Sequence, residues 1–321
     1  MTSSTRRLLF LGVGAILAAV AVSATLAVNT ASASEGTPPA AITVPGDRTG
    51  APVELVASLE GRNEVTGGAP AGQALSLIGI QGDTLSYSIR WRGIGTPTEA
   101  QIHAGAGGVD GPVAVTLFTT PPRRTGGFAS GTVAVTDSAL LAALRSDPGN
   151  FYADLHTTAF SAGAARGQLH LLSHPVATSG VAAVQESVVV GSQIYACTAQ
   201  PDGSFAFAQR DVEARLTGGI HHTFVQPVAG PPQWRAPDGS AVSGKVVARN
   251  ANGAGNIAEL DLDATQIGAS SGLLAHVVEV LRLNTVGGVA PAGACDPQAT
   301  PSVNVPYQAD YVFINGRPTA S

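Results

Sequence analysis

Short stretches of alternating apolar and polar residues, separated by glycine-containing turns, set the strongest limit on how this chain folds. The clearest covers 84–91, where Leu85, Tyr87 and Ile89 alternate with serine and arginine. A spacing of two places one set of side chains on one face of a strand, which is typical of a half-buried β-strand. A series of such short runs predicts an all-β protein.

Further strand candidates follow along the whole chain, and one short helix is expected at 137–144, where an acidic residue precedes good helix formers. The candidate strands are 54–60, 74–78, 100–103, 113–118, 131–136, 151–156, 167–172, 187–190, 194–198, 205–207, 242–248, 257–262 and 307–313. The stretch 273–283 fits both a helix and a strand. Its valines and the following Gly287-Gly288 turn favour the strand.

The amino terminus has the pattern of an export signal. Arg6 and Arg7 precede an uncharged apolar run, 8–28, and Ala31-Ser32-Ala33 offers the small residues that a signal peptidase recognises. We expect a signal peptide at 1–33 and a flexible leader at 34–50. An uncleaved membrane anchor is the alternative, because about 20 apolar residues can span a bilayer. The pattern leaves open whether export uses the general secretory or the twin-arginine route.

Composition excludes one class of function. Charged residues make up 12% of the chain, the net charge is −5, and Lys245 is the only lysine. A nucleic-acid-binding surface needs clustered cations to neutralise phosphates, so we expect no nucleic acid among the partners. No second apolar segment is long enough to cross a membrane. We therefore expect a secreted, extracellular protein with no membrane span after signal cleavage.

The two cysteines, Cys197 and Cys295, are expected to form a disulfide, as an even pair in an exported protein most simply does. A redox-active or metal-binding pair would need a closer spacing. With 321 residues the chain is longer than one ordinary core supports. We expect two β domains, at 51–172 and 184–315, joined by a linker at 173–183.

The first domain resembles the CHRD domain, the module named from chordin. The resemblance rests on L-E-G-R-N-E-V at 59–65, L-S-Y-S-I at 85–89, I-H-A-G at 102–105 with G-P-V at 111–113, and L-H-T at 155–157 with R-G-Q-L at 166–169. It implies an immunoglobulin-like or superoxide-dismutase-like β-sandwich and no established enzymatic activity.

The second domain resembles a secreted family of unknown function, domain-of-unknown-function family 3455. The matching segments are 195–197, Trp234 with 238–240, 282–288, 295–296 and 305–313. With the cysteine pair, this resemblance implies a mainly β domain closed by one disulfide. No glycine-rich phosphate loop opens a helix here, so we expect no nucleotide cofactor.

His103 and His156 are the strongest candidates for a metal site, because neutral imidazole is a common ligand of copper and zinc. Two departures from the CHRD pattern weaken such a site. Gln101 stands where many CHRD sequences have a further histidine, and Ala164 with Ala165 replaces an expected carboxylate. In the alternative, both histidines hydrogen-bond loop backbone and fix the edge of the sandwich.

Other polar groups offer weaker candidates. The row Glu259, Asp261 and Asp263 is either a Ca²⁺ site or a solvated strand face, and the His221-His222 pair is expected in a polar loop. His276 has no evident partner. A weak cationic surface for acidic glycans is the alternative to ordinary solvated charge for Arg90, Arg92, Arg123 and Arg124.

The leading functional hypothesis is a secreted binding or structural module without established catalysis. Its partner would be an extracellular protein or polysaccharide. The alternative is a metal-dependent copper or zinc enzyme, redox or hydrolytic, that uses His103 and His156. No other cofactor is expected. We assign no catalytic residue from the sequence.

Overall fold

The fold is all-β, as predicted. The structure is a computed structural model that describes residues 52–120, 127–174, 183–227 and 230–316. The expected signal peptide and leader lie outside these ranges, as do 175–182 of the expected linker. Among the described residues, no helix is long and apolar enough to cross a membrane.

The N-terminal half is a nine-stranded sheet in the order β5-β4-β7-β8-β1-β2-β3-β6, with β9 paired to β1. Its one α-helix within the described residues is α1, Ser138–Ser146, where Asp137 accepts the N-terminal hydrogen bond from Leu140. The strands are β1 (Val53–Glu60), β2 (Gln73–Gln81), β3 (Thr84–Arg92), β4 (Pro97–Ala104), β5 (Val113–Phe118), β6 (Phe128–Ala134), β7 (Phe151–Thr157), β8 (Ala165–Gln168) and β9 (His170–Leu171).

This sheet folds over a single core, roughly as a sandwich does. The predicted alternation in β3 holds, since Leu85 and Ile89 are fully buried. Both ends of the strand order, β5 and β6, contribute to the same apolar cluster and lie next to each other. Leu141 and Leu144 of α1 join that cluster, so the helix packs on the sandwich instead of projecting from it.

The C-terminal half is a closed eight-stranded barrel in which each strand pairs with the next and β17 pairs back with β10. Its strands are β10 (Ala183–Ala199), β11 (Phe205–Leu216), β12 (His221–Phe224), β13 (Pro232–Arg235), β14 (Ala241–Asn250), β15 (Glu259–Gln266), β16 (Val277–Gly287) and β17 (Ser302–Asn315). Closure leaves no unpaired edge, and the inward side chains fill the interior.

Two expectations about local structure in the barrel were wrong. The runs 187–190 and 194–198 are one strand, β10, which continues through irregular pairing with its neighbours. The His221-His222 pair lies in strand β12, not in a loop. Its pairing with β11 and β13 places His222 inside the barrel and leaves His221 exposed. The ambiguous stretch near 273–283 is a strand from Val277 onward, as favoured.

The predicted disulfide is present and joins Cys197 of β10 to Cys295 in the segment between β16 and β17. Backbone hydrogen bonds from Cys197 to Pro301 and from Cys295 to Phe205 hold the same segment. The bridge therefore fixes this long connection against the end of the barrel.

The two halves share a buried apolar cluster. It combines Val56, Leu75, Leu77 and Leu172 with Ala183, Leu281, Leu283, Val312 and Ile314. Beside it, the fully buried carboxylate of Asp310 accepts hydrogen bonds from Ser58 (2.8 Å), Ser187 (2.6 Å) and Asn284 (2.7 Å). Since Ser58 belongs to the sandwich and Asp310 to the barrel, a buried polar network also joins the halves.

Candidate metal centre

Neighbouring antiparallel strands bring the two predicted histidines together. In the β4–β7 register, Gln101 lies opposite Asp154, Glu99 opposite His156 and His103 opposite Tyr152. Directly paired residues share a face of the sheet. These side chains therefore lie on the face away from the sandwich core, while the intervening residues, such as Ile102 and Leu155, enter the core.

Three of these side chains form a group with the composition of a metal site. One potential ligand atom each from His103, Asp154 and His156 lies within 4.8 Å of the others, the only group of three or more such residues found in the described parts of the chain. Two imidazoles and one carboxylate are a donor set that zinc, copper and iron use in proteins. The residues present thus fit a divalent transition metal.

Hydrogen bonds orient both rings. Nδ1 of His103 is 2.9 Å from the carbonyl oxygen of Gly111, and Nδ1 of His156 is 3.1 Å from that of Ser161. A carbonyl can only accept, so each Nδ1 carries the proton and donates it. In the neutral ring of His156, Nε2 then holds the lone pair, the arrangement that backbone carbonyls commonly give to metal-binding histidines.

Two of the atoms in the group lack hydrogen-bond partners among the described residues. Nε2 of His156 and Oδ1 of Asp154 are buried without a hydrogen bond, and the Nε2–Oδ2 separation is 3.8 Å. Nε2 of His103 faces the amide oxygen of Gln101 at 3.0 Å. Gln101, which stands where many CHRD sequences have a further histidine, therefore also faces the group.

Burial favours the uncharged forms of His103, Asp154 and Glu64. Desolvation lowers the pKa of His103, which favours the neutral, ligand-competent ring. It also raises the pKa of Asp154 to about 7. Burial and the neighbouring Asp154 raise the pKa of Glu64 to about 8. Two carboxylates held this close in a desolvated place repel each other once both are ionised, and a cation would relieve that repulsion.

Neither carboxylate, Asp154 or Glu64, was predicted from the sequence. The expected acid near 164–165 is absent, and Asp154 arrives instead from β7, two residues before His156. The available signal was the D-L-H spacing itself, since residues two apart in a strand share a face. Glu64 follows the first strand, and its carboxylate packs against Gly163. A Cβ atom at position 163 would lie only 2.5 Å from Oε2 of Glu64, so only glycine fits there.

A buried arginine holds the loop that carries Gly111. Arg166, 1% exposed, pairs with Asp110 at 2.9 Å and donates to the carbonyl of Val109 at 3.0 Å. Its guanidinium lies 3.6 Å from the ring centre of Tyr152, whose other neighbour is the stacked ring of His103. The amide of Gln168 binds the carbonyl of Gly105. The R-G-Q segment thus positions the loop against which His103 is oriented.

The other candidate sites do not form a metal-binding group within the described residues. Among the three carboxylates of β15, Glu259 accepts from the backbone of Asn284, Asp261 meets Ser173, and Asp263 meets His174. The three carboxylates therefore bond to β16 and to residues 173–174, and they do not form a solvated strand face.

The remaining candidates are also separate. Arg90 lies over Phe128 and Arg92 bonds Gln73, while Arg123 and Arg124 lie outside the described residues. His276 is exposed just before β16.

Comparison with known families agrees with this division of the chain. The two halves match two different families. Residues 55–169 match the CHRD domain, and residues 214–315 match the family described as protein of unknown function (DUF3455). Both resemblances seen in the sequence are confirmed. The three grouped residues all lie in the CHRD match, whereas the disulfide's Cys197 precedes the DUF3455 match.

No curated protein and no solved structure matches the chain. Neither family description names a reaction.

Proposed function

We propose that this protein is an extracellular binding module whose CHRD half holds one divalent copper or zinc ion through His103, Asp154 and His156. One observation carries the proposal. The three ligand atoms lie within 4.8 Å of one another, and two of the groups present buried atoms with no protein partner. Buried polar atoms without partners are uncommon in folded proteins.

The surrounding residues give each ligand its part. The carbonyls of Gly111 and Ser161 orient the two rings through Nδ1. Nε2 of His156 is then free to bind the ion, and Nε2 of His103 would exchange the side-chain amide of Gln101 for it. Asp154 supplies the negative charge, and Glu64 behind it adds a second. When bound, the ion supplies Lewis acidity and a charge that a partner's oxygen atoms can bind.

An extracellular location agrees with the basic and apolar start of the chain and with the disulfide, because disulfides persist in oxidising compartments. We propose cleavage after residue 33, a sandwich domain at 51–172 and a barrel domain at 184–315. An extracellular protein or polysaccharide is the proposed partner.

Metal titration of the purified, metal-stripped protein tests the site. We expect one Cu²⁺ or Zn²⁺ ion per chain by calorimetry and elemental analysis after dialysis. His103→Ala, His156→Ala and Asp154→Asn should each weaken binding by at least about tenfold, because even the loss of an outer hydrogen-bonding partner weakens metal sites about 10- to 100-fold.

Two exposed histidines of the barrel provide matched controls. His221→Ala and His276→Ala should bind metal like the unaltered protein. Stoichiometric metal in a His103→Ala, His156→Ala double variant would refute the assignment. So would the absence of binding by the unaltered protein at micromolar metal.

A further inference from the structure

A row of basic side chains crosses the outer face of the barrel. Arg215 of β11 pairs in register with His221 of β12, and His221 pairs with Arg235 of β13. Directly paired residues share a face of a sheet. The adjacent row, with His222 and Trp234, is buried in the barrel, so Arg215, His221 and Arg235 point outward, and all three are exposed. These three residues are the basic row.

The basic row faces away from the sandwich. The barrel contacts the sandwich through outward apolar residues of β10, β16 and β17, and no residue of β11, β12 or β13 belongs to that shared cluster. In the closed order of eight strands, β13 lies four strands from β17 in both directions. The face that carries the row is therefore free to meet a partner while the two halves stay in contact.

The described chain does not neutralise this row. Within the described residues, none of its three members forms an ion pair. Two acids share the outer face of β11, Asp211 and Glu213, and Asp211 already accepts two backbone N–H groups. Adjacent strands lie about 4.8 Å apart, and like charges directly opposite each other destabilise a pair of strands. An anion bound on the outer face would remove this repulsion.

A second row beside the first offers uncharged hydrogen-bonding groups. Thr223, Gln233, Ser243 and Thr265 pair in register from β12 to β15, and all four are partly or fully exposed. Neither row contains an aromatic or large aliphatic side chain, whereas the cores of protein–protein interfaces are enriched in aromatic residues. This chemistry favours a polymer rich in hydroxyl groups that also carries acid groups.

We propose that this face of the barrel binds an acidic polysaccharide, a polymer with sulfate or carboxylate groups. Arg215 and Arg235 pair with its acid groups, since the guanidinium fork matches the oxygen atoms of oxyanions. His221 between them donates a further hydrogen bond, and the second row meets the sugar hydroxyl groups. The proposal names the partner of the extracellular binding function proposed above and rests on that function, but not on the metal centre.

Polysaccharides that differ in charge test this surface. The purified protein, kept free of metal with EDTA, is titrated calorimetrically with dextran sulfate, polygalacturonate and uncharged dextran. We expect saturable binding of at least one acidic polymer and none of dextran. The affinity should fall as the salt concentration rises, because salt screens exposed charges. Since the chelator is present throughout, this result and that of the metal titration are independent.

Two matched double variants separate this surface from a general effect of net charge. The Arg215→Met, Arg235→Met variant should weaken binding by about fivefold or more, because each exposed ion pair contributes modestly and both are lost. The Arg90→Met, Arg249→Met variant removes two exposed arginines elsewhere and should bind like the unaltered protein. If the first variant does not fold, Arg235→Gln replaces it, with weaker binding again expected.

The proposal is overturned if neither acidic polymer binds, if dextran binds equally well, or if the two double variants weaken binding equally. Duplex DNA that binds as tightly as the acidic polysaccharides would also overturn it, because the surface would then select polyanions in general and not sugars.

Discussion

At the scale of single residues, the two members of the Arg166–Asp110 ion pair differ greatly in burial. The side chain of Arg166 is 2% exposed, whereas that of its partner Asp110 is 58% exposed. Removing the arginine breaks the contacts to Val109 and Tyr152 as well as the pair. Removing the aspartate leaves a buried guanidinium that still has those contacts and nearby solvent.

We therefore expect Arg166→Met to lower the free energy of unfolding by about 3 kcal/mol, near the usual loss for a broken buried pair. Asp110→Asn should lower it by less than about 1 kcal/mol, as for exposed pairs. Denaturant unfolding measures both, with Arg215→Met on the exposed side of β11 as the control. Equal losses for the two variants would show that the pair itself, not the packing of the arginine, supplies the stability.

The sequence also shows how far single residues can be placed without a structure. His103 and His156 were identified because each sits in a recognisable segment. Their proximity depends on β4 pairing with β7, which lies three strands later in the chain, and local periodicity carries no information about that pairing. The D-L-H spacing places Asp154 on the same face as His156, but the third ligand, His103, comes from another strand and is brought near only by that pairing.

At the scale of elements, strands with clear alternation were predictable, whereas two short barrel strands were not. β3 and β17 carry enough alternation to be recognised. β12 and β13 have four residues each, and one begins at Pro232, so their pairing comes from the closed barrel and not from local preference. Irregular pairing in β10 similarly hides one long strand behind two apolar runs.

The disulfide acts at this element scale because it joins β10 to a long connection without strands of its own. The bridged residues are 98 apart, and the chain-entropy model gives about 4 to 5 kcal/mol for a loop of that length. We expect a Cys197→Ala, Cys295→Ala variant to lose several kcal/mol of unfolding free energy, measured by guanidinium titration. The reduced unaltered protein should match it, and a stability independent of reductant would contradict this expectation.

At the scale of the whole molecule, the junction between the halves is both apolar and acidic. The shared apolar cluster lies beside buried carboxylates that contact both halves or the segment between them. Fully buried Glu279 accepts the backbone N–H groups of Ser173 and His174, both at 2.9 Å. Glu279 thereby helps to attach the chain leaving the sandwich to the barrel, together with Asp261 and Asp263.

This attachment predicts how stability depends on pH. Burial, and then the charge of Asp261, raise the pKa of Glu279 from 4.5 to about 8. Between those values the folded protein holds a proton that the unfolded chain has released, so the stabilisation present below pH 4.5 is lost as the pH rises through 8. One such group changes the unfolding free energy by about 1.4 kcal/mol per pH unit. Glu60 and Glu259, with pKa values raised to about 7 by burial, add to the same slope up to that pH.

Glu279→Gln should therefore flatten the decline in unfolding free energy between pH 5 and pH 8, because the amide stays neutral while it can still accept a backbone hydrogen bond. The comparison is Glu213→Gln on the exposed side of β11, which should keep the pH slope of the unaltered protein. Urea unfolding at fixed pH steps measures all three proteins. A slope unchanged by Glu279→Gln would mean that this carboxylate is ionised in the folded protein, held by its two backbone N–H donors against the effect of burial.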